Sequence, residues 1–133
     1  MIVTSTGNPN GHLILRGSDR GQNYDAASVR GAAEALVKAG LSPRLIVDCS
    51  HGNSAKDYRK QPEVAANIAD QVASGSSNIC GVMLESHLVE GKQDIKKGRE
   101  GLRYGQSVTD GCIGWDETVE TLKKLAAAVR SRR

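Results

Sequence analysis

At 133 residues, 38% hydrophobic and 25% charged, the chain fits one small domain with a modest core. Its net charge of +3 is dispersed apart from a C-terminal "RSRR", which reads as a solvated helix end, so no nucleic-acid partner is expected. No apolar run nears the ~20 residues that cross a bilayer, and "MIVTSTGNPNG" has neither signal nor transit character.

The cysteines, at 49, 80 and 112, lack CxxC spacing and read as reduced thiols of a cytoplasmic protein. With no phenylalanine, one tryptophan and three tyrosines, the core has to be aliphatic, and the cysteines are expected within it.

In chain order, the first apolar run is "HLILR" (12–16). It does not alternate, so it predicts a strand buried on both faces. "DAASVRGAAEALVKAG" follows as a helix, with Asp25 as N-cap, Val29, Ala32, Ala33, Leu36 and Val37 as its apolar stripe, and Gly40 just past its end. "RLIVDC" (44–49) predicts a second strand. "QPEVAANIADQVASG" predicts a second helix, with Pro62 in its first turn and Val64, Ile68 and Val72 four residues apart. "ICGVMLES" (79–86) predicts a third strand, 91–106 a Gly- and Lys-rich loop, and "DETVETLKKLAAAVRSR" a last helix from Asp116. The order β-α-β-α-β-loop-α, with crossover helices, predicts an α/β fold with a parallel sheet.

Sites in parallel α/β folds collect at the C-terminal ends of the strands. Those ends carry Arg16-Gly17, then Asp48-Cys49-Ser50-His51, then Glu85-Ser86-His87, and Asp110 follows in "VTDGC". His51, Glu85 and Asp110 are donors that suit a divalent ion such as Mn²⁺, Fe²⁺ or Zn²⁺. Arg16 suits a phosphate or carboxylate. Asp48 and Lys56 are candidates for supporting these groups. Each also has a plainer reading: a hydrogen-bonded structural histidine, a Glu85–lysine pair, Asp110 capping a turn, Arg16 neutralising Asp19, and Asp48 or Lys56 in a buried pair or on the surface.

"GNPNGHLILRG", "VDCSHGNSAKDYRKQ", "GVMLESHLVEGKQ" and "YGQSVTDGCIGW" together resemble the C-terminal part of class I DAHP synthases. These enzymes are also called 3-deoxy-7-phosphoheptulonate synthases or phospho-2-dehydro-3-deoxyheptonate aldolases. The resemblance runs over nearly the whole chain. It implies about three βα units of a (β/α)8 barrel at 12–133, with 1–11 as the remnant of a β-hairpin extension.

The activity it implies is condensation of phosphoenolpyruvate with erythrose 4-phosphate, releasing phosphate, at the entry to the shikimate pathway and aromatic amino acid biosynthesis. The family's metal is held by a cysteine, a histidine, a glutamate and an aspartate. The last three map onto His51, Glu85 and Asp110, with Mn²⁺ the first expectation. Arg16, in "LRG", maps onto the phosphoenolpyruvate phosphate site.

The earlier barrel units, the metal-binding cysteine and most substrate contacts of the family have no counterpart here. Cys49 is read as a core residue and not as that cysteine's replacement. A few strands cannot close a barrel, so the expected partner is a missing N-terminal half or a second copy, and the chain alone is expected to be inactive. The other reading is a non-catalytic α/β module that binds a partner or an effector.

Overall fold

The computed structural model describes residues 2–8 and 10–132. Three strands, β1 (Leu13–Leu15), β2 (Leu45–Asp48) and β3 (Ile79–Met83), form one parallel sheet in that order. Helices α1 (Ala26–Lys38) and α2 (Gln61–Ala73) are its crossovers, and α3 (Trp115–Ser131) follows the last loop. Among the described residues, no helix is long and apolar enough to cross a membrane.

Local chemistry sets the helix ends. The Asp25 side chain accepts from the backbone N–H of Ala27 and Ser28, both at 3.0 Å. Hydrogen bonds from Ser28 hold the Asp25 carboxyl below its ordinary range. α1 stops in a Schellman turn: Gly40 takes φ 71, its N–H donates to Val37 O, and the Leu41 N–H donates to Leu36 O. Pro62 sits in the first turn of α2, as expected. α3 begins one residue before Asp116, at Trp115, with Gly114 at its N-cap and no side-chain cap.

The core is aliphatic. Leu15, Leu45, Val47 and Ile79 from the sheet meet Val29 of α1, Val64, Ile68 and Val72 of α2, and Ala128 of α3. Four sequence expectations need correction.

The sheet is not buried on both faces. Ile14, Ile46 and Gly81 lie side by side in register outside the core, and Ile14 is 48% exposed, because the helices cover only the opposite face. Val37, placed in the α1 stripe, is 59% exposed, since Val29 and Ala33 supply the contact with the core.

The 91–106 segment is not a plain loop. It holds the end of β4 (Val89–Lys92), two 3-10 turns (Ile95–Lys97 and Arg99–Gly101) and the start of β5 (Gln106–Ser107), which pairs with β4. Backbone groups and glutamine amides join these pieces, with Gln93 bonding both Arg103 and Gln106 O, so no apolar pattern announces them. Among the described residues of 1–11 no strand is formed.

All three cysteines are free, but only Cys49 and Cys112 are buried; Cys80 is exposed. Burial, with Asp48 alongside, pushes the Cys49 thiol from 9.0 up to about 12. Burial raises Cys112 as well. A thiol held up in the fold keeps its proton where the unfolded chain loses it. The Cys49 contribution to stability is therefore complete below pH 9.0 and is lost as the pH climbs toward about 12. A thiol reagent at pH 8 is expected to label Cys80 alone in the folded protein, and the other two only after denaturation. Rapid labelling of Cys49 without denaturant would contradict this packing.

Candidate metal centre

β2 ends at Asp48, and the chain then turns sharply through residues 49–57. His51, Ala55 and Lys56 all adopt left-handed backbone conformations, at φ 46, 53 and 62, which non-glycine residues take only where surrounding contacts enforce them. Two contacts do so. The Lys56 N–H donates to His51 O at 2.8 Å, and the Asn53 N–H donates to Arg16 O at 3.2 Å across to the end of β1.

The same seam explains two glycines. A Cβ on Gly17 would lie 2.6 Å from Asn53 N, and one on Gly52 would lie 2.5 Å from Ser18 N. The ends of β1 and β2 therefore touch backbone to backbone, which only glycine permits.

Asp48 fixes the imidazole. Its buried carboxylate accepts from the Ser50 N–H at 2.7 Å through Oδ1 and faces His51 Nδ1 at 2.7 Å through Oδ2. A carboxylate only accepts, so Nδ1 carries the proton. Nε2 is then left with a free lone pair, and it lies 3.8 Å from Glu85 Oε1. This is the carboxylate–histidine arrangement that orients metal-binding imidazoles.

Glu85 stands two residues beyond β3. The Gln61 side chain grips its peptide group: Gln61 Nε2 donates to Glu85 O at 3.0 Å, and the Glu85 N–H donates to Gln61 Oε1 at 2.7 Å. Gln61 is fully buried at the start of α2, so the strand end and the helix start are joined as if by a short ladder. The Cys112 thiol lies 3.9 Å from Glu85 Oε2 and donates to Asp110 O at 3.6 Å, tying the loop after β5 to the same place.

The outcome is convergence. One donor atom from each of His51, Glu85 and Asp110 lies within 4.8 Å of the others, although the three residues come from three separate strand ends or loops. Donors sharing one ion at about 2.1 Å stand ~3–4 Å apart, so small side-chain adjustments would let this triangle hold a cation. One imidazole and two carboxylates suit Mn²⁺, Fe²⁺ or Zn²⁺. A cavity of about 520 Å³ opens beside it, lined by Ser50, His51, Lys56, Tyr58, Lys92 and Asp110.

Arg16 and Lys56 are placed differently. Arg16 is exposed, does not line that cavity, and reaches the site only through its carbonyl bond to Asn53. The Lys56 ammonium lies 3.8 Å from Asp19, the acid weighed as a partner for Arg16, and bonds none of the three donors. The sequence singled out neither Gln61 nor Asn53. Asn53 is wholly buried: its Nδ2 donates to Leu15 O and Asp48 O, and its Oδ1 accepts from the Asn23 N–H. The one sequence signal for either is a polar residue beside a backbone-breaking neighbour, Gly52 or Pro62.

Fold and site together define a parallel α/β protein with a candidate divalent-cation centre at its strand ends. Residues 1–123 match the model of the DAHP synthetase I family, and the chain belongs to that family.

A putative phospho-2-dehydro-3-deoxyheptonate aldolase of Schizosaccharomyces pombe is 56% identical over 133 residues, covering 99% of this chain and 36% of that protein. The phenylalanine-inhibited phospho-2-dehydro-3-deoxyheptonate aldolase of Saccharomyces cerevisiae is 52% identical over 138 residues, covering 99% and 37%. The solved phospho-2-dehydro-3-deoxyheptonate aldolase of Francisella tularensis SCHU S4 superposes with a TM-score of 0.90 at 48% identity, over 97% of this chain and 37% of that one. The chain thus spans little more than a third of the length of these relatives.

Proposed function

We propose that this chain carries the metal-holding part of a 3-deoxy-7-phosphoheptulonate synthase, the transferase that joins phosphoenolpyruvate to erythrose 4-phosphate. The observation that carries the reading is the convergence of His51, Glu85 and Asp110. β1, β2 and β3 with their helices are then the closing βα units of a (β/α)8 barrel, at 12–133 of a single domain 1–133. Residues 1–11 belong to an extension of it.

In this reading His51, Glu85 and Asp110 hold a divalent cation, Mn²⁺ first. A cation held there would supply Lewis-acid polarisation of the aldehyde. Asp48 keeps the His51 ring turned so that Nε2 faces the site. Arg16 neutralises and orients the phosphoenolpyruvate phosphate, so that C3 of the enol is presented to the aldehyde carbon. A cytoplasmic location accords with three free thiols. A non-catalytic module would have no use for the Asp48-oriented imidazole facing two carboxylates, and we do not adopt it.

The 133-residue chain by itself is expected to show no turnover in a phosphate-release assay with both substrates and Mn²⁺, because Arg16 alone cannot replace the family's other phosphate contacts. Turnover is expected once the remaining two-thirds of a relative is co-expressed with it, and is expected to vanish again with Glu85→Ala. Enzyme-like rates from the chain alone, or activity of the pair that survives Glu85→Ala, would overturn the reading.

A further inference from the structure

The peptide groups of Glu85 are held from outside its own strand, which ends at Met83. The Glu85 N–H donates to Gln61 Oε1 at 2.7 Å. Its carbonyl accepts from Gln61 Nε2 at 3.0 Å and from the Ile113 N–H at 2.9 Å. In an antiparallel pair of strands, one residue exchanges both bonds with one residue opposite. Here a side-chain amide does the work of that opposite residue. Among uncharged side chains of this reach, only glutamine offers an N–H₂ and a C=O together. Gln61 is wholly buried at the start of α2, so bulk water does not compete for its amide.

The Glu85 carboxylate is held less closely than its peptide. The side chain is 22% exposed, with Oε1 3.8 Å from His51 Nε2 and Oε2 3.9 Å from the Cys112 thiol. A glutamate has several rotatable bonds, so a fixed backbone is what confines its carboxylate to one place. Ile113, the other partner of the Glu85 carbonyl, stands three residues after Asp110. The clamp therefore also holds the Asp110 loop in register with Glu85.

We propose that Gln61 is a positioning residue for the cation. By clamping the Glu85 peptide, it sets the carboxylate where it can share an ion with His51 and Asp110. This rests on the proposed function for the metal, and adds to it a residue that is itself no ligand. A merely structural amide would support the fold and leave the cation affinity of the folded chain unchanged.

Gln61→Met keeps the bulk and removes both hydrogen-bonding groups. Isothermal titration of the folded variant with Mn²⁺ is expected to show affinity lowered about tenfold or more. Val64→Ala, one turn along the same helix and also buried, is expected to bind within about twofold of wild type. In a Glu85→Ala background, Gln61→Met is expected to add nothing, because the clamp then has no carboxylate to place. A reciprocal test needs no variant, since a clamp that favours the cation must be favoured by it. Saturating Zn²⁺, which is diamagnetic, is expected to slow hydrogen exchange of the wild-type Glu85 N–H about fivefold or more, read by NMR. That measurement decides the case in which Gln61→Met does not fold.

Wild-type affinity in Gln61→Met, an equal loss in Val64→Ala, or a further loss in the Glu85→Ala background overturns the proposal. So does a Glu85 N–H that exchanges at the same rate with and without Zn²⁺. Weak binding in Glu85→Ala with none of that loss in Gln61→Met leaves the metal-holding reading standing and removes Gln61 from it. Binding in Glu85→Ala as tight as in wild type strikes that reading itself.

Discussion

His51→Ala is expected to lower the affinity of this chain for Mn²⁺ about 100-fold or more, with the helical circular dichroism unchanged. The size follows from what the imidazole does. It is the one nitrogen donor of the trio, and its Nε2 lone pair is presented because Asp48 holds Nδ1 at 2.7 Å. Deleting it leaves two carboxylates, of which Asp110 is exposed and tied down only through its carbonyl.

The fold is expected to survive, since the His51 side chain is itself 29% exposed and fills no core position. Asp48→Asn tests the layer behind. An amide in place of the carboxylate removes the charge that makes the ring a better donor, and an effect of about 10–100-fold is expected. Isothermal titration with Mn²⁺ measures both variants. Equal affinity in wild type and His51→Ala would remove the imidazole from the site and leave only an acidic pair.

Asn53→Ala is expected to destabilise the protein by roughly 3–6 kcal/mol, the largest effect of any single side chain outside the hydrophobic core. Asn53 is wholly buried and bridges three groups: Leu15 O at 3.1 Å, Asp48 O at 2.8 Å and the Asn23 N–H at 2.8 Å. Truncation removes all three bonds at once in the seam where the Gly17 and Gly52 backbones touch. Each abandoned buried group costs about 1–3 kcal/mol, against a total stability of about 5–15 kcal/mol for an ordinary domain.

Asn53→Asp separates hydrogen bonding from volume. It keeps the acceptor for Asn23 but points an oxygen at two carbonyl oxygens, so it is expected to be destabilising as well. Urea denaturation reads both variants. A loss below about 1 kcal/mol in Asn53→Ala would mean that the seam is not where the two strand ends are joined. The functional consequence is direct, because this seam holds the strand end bearing Arg16 against the loop bearing His51.

Much of this was legible from the residues alone. The three apolar runs became β1, β2 and β3, the first two trimmed at both ends and the third at its C-terminal end, and the Asp25, Gly40 and Pro62 signals fell at the helix boundaries they predict. These features depend on chemistry within a few residues, which the linear order contains. The same holds for the choice of His51 and Glu85 as candidates, since a polar group following an apolar run marks a strand end; Asp110 follows a loop and is given its role beside them by the resemblance.

Other features needed the folded chain. The β4–β5 pair is made by backbone and glutamine amides, and no side-chain pattern encodes it. Whether Val37, Ile14 or Cys80 is buried depends on how many faces the neighbouring elements cover, and an apolar run does not state that.

Gln61 and Asn53 matter through contacts 24 and 38 positions away in the chain, so their importance appears only once those partners are adjacent. The sequence by itself determined which side chains stand at the strand ends and which stretches coil into helices. Only tertiary structure decided that three of those side chains share one point and that Arg16 stands off from it. Distances between remote residues are set by how strands pair in register and how loops are tied across them, and those contacts exist only after the chain has closed on itself.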